Sequence, residues 1–136
     1  MEIIDKNIVD NLHLFITKLN DASKEGALIV VEGKRDVEAL RTLGFNGDIF
    51  QLCQGGSIIK LVQMASKFNK AVLLFDLDRE GRSLTKKSAE ILNKKQIPID
   101  LFFRRELRSI TLGRVRRIEN LKKFGAYFDF KVNTHP

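Results

Sequence analysis

The stretch "VLLFDLDREG", residues 72–81, joins a run of four apolar residues to three acids at alternate positions. The continuous apolar run is typical of a strand buried on both faces of a parallel sheet. Asp76, Asp78 and Glu80 follow at once, and carboxylates held this close together repel one another. In an extended chain, side chains at alternate positions point the same way. The stretch therefore predicts a buried strand with an acidic ligand site at its carboxyl end.

The pattern on either side of this stretch alternates between helix and strand. Helices are predicted over residues 5–23, 34–43, 58–68 and 81–95, the third of them capped by Ser57, and strands over 27–33, 48–53, 71–76 and 98–103. From Arg104 the tail is predicted as two short helical pieces broken near Gly113. Short links between alternating elements favour an α/β fold with three α/β/α layers. Its central sheet would have four parallel strands joined by right-handed crossovers.

Composition limits the classes of protein to which the chain can belong. The 136 residues suit one compact domain, no apolar run approaches a membrane span, and the single cysteine, Cys53, excludes a disulfide framework. A reducing, cytoplasmic setting is expected. Residues 1–78 hold nine Lys/Arg against eleven Asp/Glu, residues 79–100 hold six against three, and residues 101–136 hold nine against three. A basic C-terminal half beside an acid-bearing half predicts a polyanionic partner.

The acids are expected to gather at one edge of the sheet. Glu32 closes the first predicted strand and Asp76 closes the third, and ligands of such sheets bind outside the carboxyl ends of the strands. Together with Asp78 and Glu80 they form a four-carboxylate set that a hard divalent cation would neutralise, Mg²⁺ with Mn²⁺ as a substitute. The alternative is that the aspartates cap the next helix and that Glu80 only decorates its first turn.

Cations and glycines are predicted to line the same edge. Gly33 allows a tight turn behind Glu32, and a glycine pair leads into a helix N-terminus whose N–H groups suit an anionic oxygen. The residues predicted to bind phosphate or nucleic acid are Lys34, Arg35, Gly55, Gly56, Arg79, Arg82, Arg104 and Arg105, with Arg108, Arg114, Arg116 and Arg117 as further candidates in the tail.

The motifs "VVEGKRDVEAL" and "FDLDREG" resemble those of the Toprim domain of type IA topoisomerases, bacterial-type primases, topoisomerase VI, OLD-family nucleases and ribosomal-RNA-maturing ribonucleases. The resemblance implies a Rossmann-like Toprim fold over residues 26–106. The apolar spacing and the charge distribution predict that an N-terminal helix at 1–25 and a basic helical extension at 107–136 flank it. It implies that Glu32 is a general acid/base or metal ligand and that Asp76 and Asp78 bind magnesium. Glu80 falls where topoisomerase IA has its third acid.

The layout is nearest to that of small stand-alone Toprim proteins and the ribosomal-RNA-maturing ribonucleases. The expected function is Mg²⁺-dependent cleavage or transfer of phosphodiesters, on RNA rather than DNA. The alternative is a non-catalytic nucleic-acid-binding subunit, with a protein partner in a larger RNA or DNA machine. "FDLDREG" also looks like the phosphatase motif of haloacid dehalogenases, and receiver-like domains gather acids at strand ends. The dehalogenase motif normally ends the first strand, whereas here it ends the third. The first strand of a receiver usually ends in an acidic pair, whereas this one ends in Glu-Gly-Lys.

Overall fold

The computed structural model of the protein describes residues 5–53 and 57–128, so the predicted phosphate-binding residues Gly55 and Gly56 lie outside the described part. The elements are, in order, α1 (Lys6–Lys24), β1 (Ala27–Val31), α2 (Lys34–Thr42), β2 (Ile49–Gln51), α3 (Ile58–Ala65), β3 (Lys70–Leu73), α4 (Arg79–Lys94), β4 (Ile99–Asp100), α5 (Phe102–Ile110) and a 3₁₀ helix (Ile118–Tyr127). The predicted α/β fold is confirmed. The predicted cap of α3 is also present, since the Ser57 hydroxyl accepts the Lys60 N–H at 3.2 Å.

The four strands form one parallel sheet in the order β2-β1-β3-β4. The chain leaves β1 toward β2 on one side and returns to β3 on the other side. The carboxyl ends of β1 and β3 therefore flank the point where the direction of winding reverses. In open α/β sheets this topological switch point is where ligands bind.

Side chains of β1, one of the two central strands, alternate between two cores. Ile29 and Val31 pack into a core on the face covered by α1, α2, α5 and the 3₁₀ helix, whereas Leu28 and Val30 pack into a second core beneath α3 and α4. All five residues of β1 are buried, as the continuous apolar run predicted. Burial on both faces fixes where β1 ends, and so fixes the position of Glu32 directly after it.

The prediction of a strand over residues 98–103 is wrong beyond Asp100. The Asp100 carboxylate accepts the Phe102 N–H at 2.8 Å, and α5 begins there. Phe103 is buried with its ring edge-on to that of Phe15 in α1, at 5.7 Å between centroids. The amphipathic pattern of α5 thus prevails over the β-propensity of the two phenylalanines, because the helix buries Phe103 and Leu107 on one side.

The segment after α5 returns to the carboxyl end of β3. Gly113 turns the chain with a φ of +71°, a left-handed conformation that glycine adopts without a steric penalty. Farther on, the Leu77 N–H donates to the Arg116 carbonyl at 2.6 Å. The predicted boundary between residues 106 and 107 falls inside α5. Among the described residues, none of the helices is both long and apolar enough to span a membrane.

Replacing Phe103 with Ala should lower the free energy of unfolding by about 3–5 kcal/mol, the usual cost of truncating a buried phenylalanine. Phe102 is the matched control, because its side chain is 44% exposed and Phe102→Ala should cost well under half as much. Urea unfolding of the two variants measures both values. Equal losses would contradict the packing of α5 through Phe103.

Candidate metal and phosphate site

The carboxylates of Glu32 and Asp76 meet at the switch point. Glu32 directly follows β1, and its Oε2 accepts the backbone N–H of Asp76 at 2.8 Å, a contact between positions 44 residues apart. The two acids share an open cleft of about 230 Å³, here called the acidic cleft. Its lining consists of Glu32, Gly33, Lys34, Arg35, Asp36, Cys53, Asp76, Arg117 and Glu119. The structure therefore brings four of the predicted site residues into one cleft, namely Glu32, Lys34, Arg35 and Asp76.

Asp76 is held by two contacts from residues beyond β4. Its Oδ1 accepts the Ile118 N–H at 2.8 Å, at the start of the 3₁₀ helix. The Arg104 guanidinium donates to the Phe75 carbonyl at 3.2 Å and to the Asp76 carbonyl at 2.7 Å. Arg104 therefore supports the backbone of the acidic loop (residues 76–78) by direct hydrogen bonds, a structural contact in addition to the predicted phosphate-binding role.

Asp78 lies on the other side of this loop. Its Oδ1 accepts the Gly81 N–H at 2.7 Å and caps α4, as the helix-cap alternative proposed. Gly81 itself packs against the acidic loop, because a β-carbon at this position would overlap the Asp76 carbonyl oxygen. Glycine is unfavourable inside a helix, so its presence here reflects this close approach.

A second cleft, of about 300 Å³, opens on the Asp78 side of the loop. We call it the arginine cleft, and its lining consists of Leu77, Asp78, Arg79, Arg82, Arg108 and Arg116. Glu80 and Arg105 are exposed on α4 and α5 and line neither of the two clefts. Of the four predicted metal-binding acids, the structure thus brings together Glu32 and Asp76, places Asp78 beside them in the second cleft, and leaves Glu80 in solvent.

The acidic cleft raises the pKa values of three carboxyl groups, those of Glu32, Asp36 and Asp76. Burial is the largest cause for Glu32, whose pKa rises to about 7, and the charges of Asp76, Asp36 and Asp78 add to it. Burial likewise raises the pKa of Asp36 to about 6 and raises the pKa of Asp76. The Asp76 N–H and the Ile118 N–H oppose these shifts by hydrogen-bonding to the carboxylates of Glu32 and Asp76. Without a cation, the cleft therefore disfavours full ionisation of its acids.

Two acids of the cleft were not predicted from the sequence. Asp36 is 7% exposed, and its Oδ2 accepts the Gly33 N–H at 3.1 Å across the first turn of α2. The spacing of Gly33 and Asp36 is that of a helix-capping pair and could have identified it. Glu119 lies 3.9 Å from Arg35 and 3.7 Å from Arg117, and only the return of the chain after α5 brings it to the cleft.

The donor chemistry of the acidic cleft fits a hard divalent cation. Among the described residues, no group of three or more Asp, Glu, His or Cys side chains is arranged to hold a metal ion. Magnesium does not require such a group, since it is commonly bound by one or two carboxylates together with water and substrate phosphate. Glu32 and Asp76 supply such a pair, and a cation would offset the burial and the repulsion from neighbouring carboxylates that raise the pKa values of both groups.

The fold and the two motifs agree with comparisons to known proteins. The sequence profile of the Toprim domain matches residues 27–103. A UPF0292 protein of Methanosarcina acetivorans is 31% identical over an alignment of 142 positions, gaps included, which covers 98% of this chain and 97% of that protein. A UPF0292 protein of Thermococcus gammatolerans is 37% identical over 103 residues, which cover 76% of this chain and 74% of that protein. A solved structure of a protein from Aquifex aeolicus is 34% identical with a TM-score of 0.70, covering 80% of this chain and 96% of that one.

The chain therefore belongs to the Toprim-domain family, whose members process nucleic acids and typically bind divalent metal ions. Within this family it is similar over nearly its whole length to an archaeal UPF0292 protein. The family assignment confirms the resemblance read from the two motifs. The match to the Toprim domain also argues against the haloacid-dehalogenase and receiver-like alternatives.

The raised pKa of Glu32 predicts how stability depends on pH. A carboxyl group whose pKa is higher in the folded than in the unfolded protein holds its proton more tightly when folded. Its contribution to the free energy of unfolding is therefore full below about pH 4.5 and is lost as the pH rises toward about 7. Glu32→Gln keeps an oxygen for the Asp76 N–H and removes the charge. The melting temperature of this variant, measured in chelator, should rise relative to wild type as the pH increases through this window.

Glu38→Gln is the control, because Glu38 is exposed on α2 and does not line the acidic cleft. Its melting temperature should follow that of the wild type at every pH. The same pH dependence in wild type and Glu32→Gln would contradict the electrostatic cost assigned to Glu32.

Proposed function

We propose that this protein is a metal-dependent enzyme that cleaves or transfers phosphodiester bonds of nucleic acid, with Mg²⁺ as its cofactor and Mn²⁺ as a substitute. The observation that carries the proposal is the contact between Glu32 and the Asp76 backbone at the switch point of the sheet. It places two carboxylates of raised pKa in one open cleft whose rim carries Lys34, Arg35 and Arg117. Membership of a nucleic-acid-processing family supports the substrate class.

Glu32 is the proposed general acid/base. When Glu32 does not itself coordinate the metal, its pKa of about 7 lets it both accept and release a proton at neutral pH, which is the condition for efficient proton transfer. Its carboxylate borders the open cleft, where it could exchange a proton with the attacking or leaving oxygen of a phosphodiester. A contribution of roughly 10²–10⁴-fold is usual for such a group.

Asp76 is the proposed principal metal ligand, with Glu32 beside it and Asp78 as a ligand from the adjacent cleft. When bound, Mg²⁺ would supply stabilisation of negative charge on the phosphate oxygens and a more acidic bound water. Glu80, which is exposed in the first turn of α4, is proposed as an outer or second-metal ligand.

The cations at the rim are proposed to position the phosphate without reading base sequence. Arg117 serves this role best, because it lines the acidic cleft and its positive charge partly opposes the rise that burial causes in the pKa of Asp76. Arg35 and Arg117 both lie within 4 Å of Glu119, and such exposed pairs are weak enough to yield to a phosphate.

RNA is the proposed substrate. The support is the similarity of the motif layout to that of ribosomal-RNA-maturing ribonucleases. In addition, the single tyrosine of the sequence, Tyr127, is exposed on the 3₁₀ helix and does not line the acidic cleft. A topoisomerase-type covalent step at tyrosine therefore gains no support from these residues.

Metal binding is tested by calorimetric titration with Mn²⁺. Asp76→Asn should abolish measurable binding, because the amide keeps an oxygen for the Ile118 N–H but loses the negative charge. Asp10→Asn, a change at an exposed position of α1, should bind Mn²⁺ as wild type does. Unchanged binding by Asp76→Asn would remove Asp76 from the metal site.

Cleavage is tested with labelled structured RNA, single-stranded DNA and duplex DNA, each with Mg²⁺, Mn²⁺ or chelator. Wild type should cut RNA only with metal. Glu32→Gln should lose at least about 10²-fold in rate while keeping its affinity for RNA, and Glu38→Gln should cut normally. If wild type binds nucleic acid but cuts none of the three substrates with either metal, the non-catalytic binding subunit becomes the better description.

A further inference from the structure

The arginine cleft lies on the other side of the acidic loop from the acidic cleft, and its lining is predominantly positive. Four of its six lining residues are arginines, and Asp78 is its one carboxylate among the described residues. Asp78 already accepts the Gly81 N–H, so part of its hydrogen-bonding capacity is used by the α4 cap. The ion pairs found in the described part of the chain involve Arg35, Lys70 and Arg117 as cations, and none of the cleft arginines.

The positive charges of this cleft come from two parts of the chain. Arg79 and Arg82 lie in the first turn of α4, within the part matched by the Toprim profile, whereas Arg108 and Arg116 lie beyond residue 103, where that match ends. The hydrogen bond from the Leu77 N–H to the Arg116 carbonyl fixes this second part against the acidic loop. The cleft is therefore a product of the folded chain and not of one charged segment.

The arginines stay close together despite their mutual repulsion. Besides burial, the positive charges of Arg108 and Arg82 lower the pKa of the neighbouring Arg104 guanidinium. Arg104 is fixed by its bonds to the Phe75 and Asp76 carbonyls and so holds a further positive charge beside the cleft. Such a concentration of guanidinium groups matches the oxygens of a phosphate, which arginine binds with two parallel hydrogen bonds.

We propose that the arginine cleft is a second phosphate-binding subsite, which holds a phosphate of the nucleic-acid strand next to the one processed in the acidic cleft. The inference rests on the proposed function for the nature of the strand. Asp76 lines one cleft and Asp78 lines the other, so the two clefts flank the same three-residue loop. A strand that crosses this loop would therefore present neighbouring phosphates to the two clefts. The occupant is an internal phosphodiester or the free phosphate at a strand end, and both present the same oxygens to the arginines.

The test uses the double variant Arg108→Gln/Arg116→Gln in the full-length protein. Both side chains are exposed, and the Leu77–Arg116 hydrogen bond uses the backbone, so the variant should melt at the wild-type temperature. Lys87→Gln/Lys94→Gln is the matched control, because it also removes two exposed charges but from the middle and far end of α4. Binding of a fluorescent single-stranded RNA of about ten nucleotides is measured in chelator over a series of salt concentrations.

The expected result for the arginine variant is about a tenfold or larger loss of affinity at low salt. The slope of log affinity against log salt should become shallower by about 0.7 for each phosphate that the variant no longer neutralises. The lysine control should show less than a third of that slope change. Equal effects in the two double variants, or none in the arginine variant, would overturn the proposal, since charge would then act without a defined subsite.

Two further arms identify the phosphate and separate this proposal from the proposed function. If a 5′-phosphorylated RNA binds wild type more tightly than its 5′-hydroxyl form, and the arginine variant abolishes that preference, the subsite holds a terminal phosphate. Equal binding of both forms, with weaker binding by the variant retained, assigns an internal phosphodiester. Because binding is measured without metal, a protein that passes this test but cuts no substrate would refute the enzyme proposal and support the subsite.

Discussion

The hydrogen bond from the Asp76 N–H to the Glu32 carboxylate joins the two central strands of the sheet at the point where both have ended. β1 is buried on both faces and paired on both edges, so Glu32 has little freedom to leave this position. The same contact brings a second carboxylate, that of Asp76, into a partly buried cleft. The remaining features of the site compensate for this concentration of negative charge. The Ile118 N–H binds Asp76, and positive charges stand on both sides of the loop.

The part of the chain after β4 belongs to the site. Arg104 supports the loop carbonyls, the Arg116 carbonyl accepts the Leu77 N–H, and Ile118 donates to Asp76. All three residues lie beyond residue 103, where the Toprim match ends. The 3₁₀ helix also packs on α2, where Gly125 leaves room for Thr42. Because these contacts converge on a loop that carries the acids, changes in the extension should alter the proposed metal site.

The elements that are set by local apolar pattern could be predicted from the sequence. The strands β1 and β3 could be predicted from their continuous apolar runs. The acids that follow these runs indicate the position of the candidate site. The prediction of a strand was wrong for the second half of "PIDLFF", where strand propensity competes with the amphipathic pattern of α5. The helix forms because it buries Phe103 against Phe15. Glu119 could not be placed, since its position depends on how the chain returns after Gly113. The division of Asp76 and Asp78 between two clefts could not be predicted either, because the chain bends at residues 77 and 78 and so leaves the extended geometry assumed for the acidic run.

The central claim is that a divalent cation binds where the Glu32 and Asp76 carboxylates meet. Anomalous diffraction from crystals grown with saturating Mn²⁺ tests it directly, because Mn²⁺ scatters anomalously and takes the same oxygen ligands as Mg²⁺. The account predicts one strong anomalous peak within coordinating distance of both carboxylates, which disappears in crystals of Asp76→Asn. A peak elsewhere on the surface, or none at this position in the wild type under saturating metal, would contradict it.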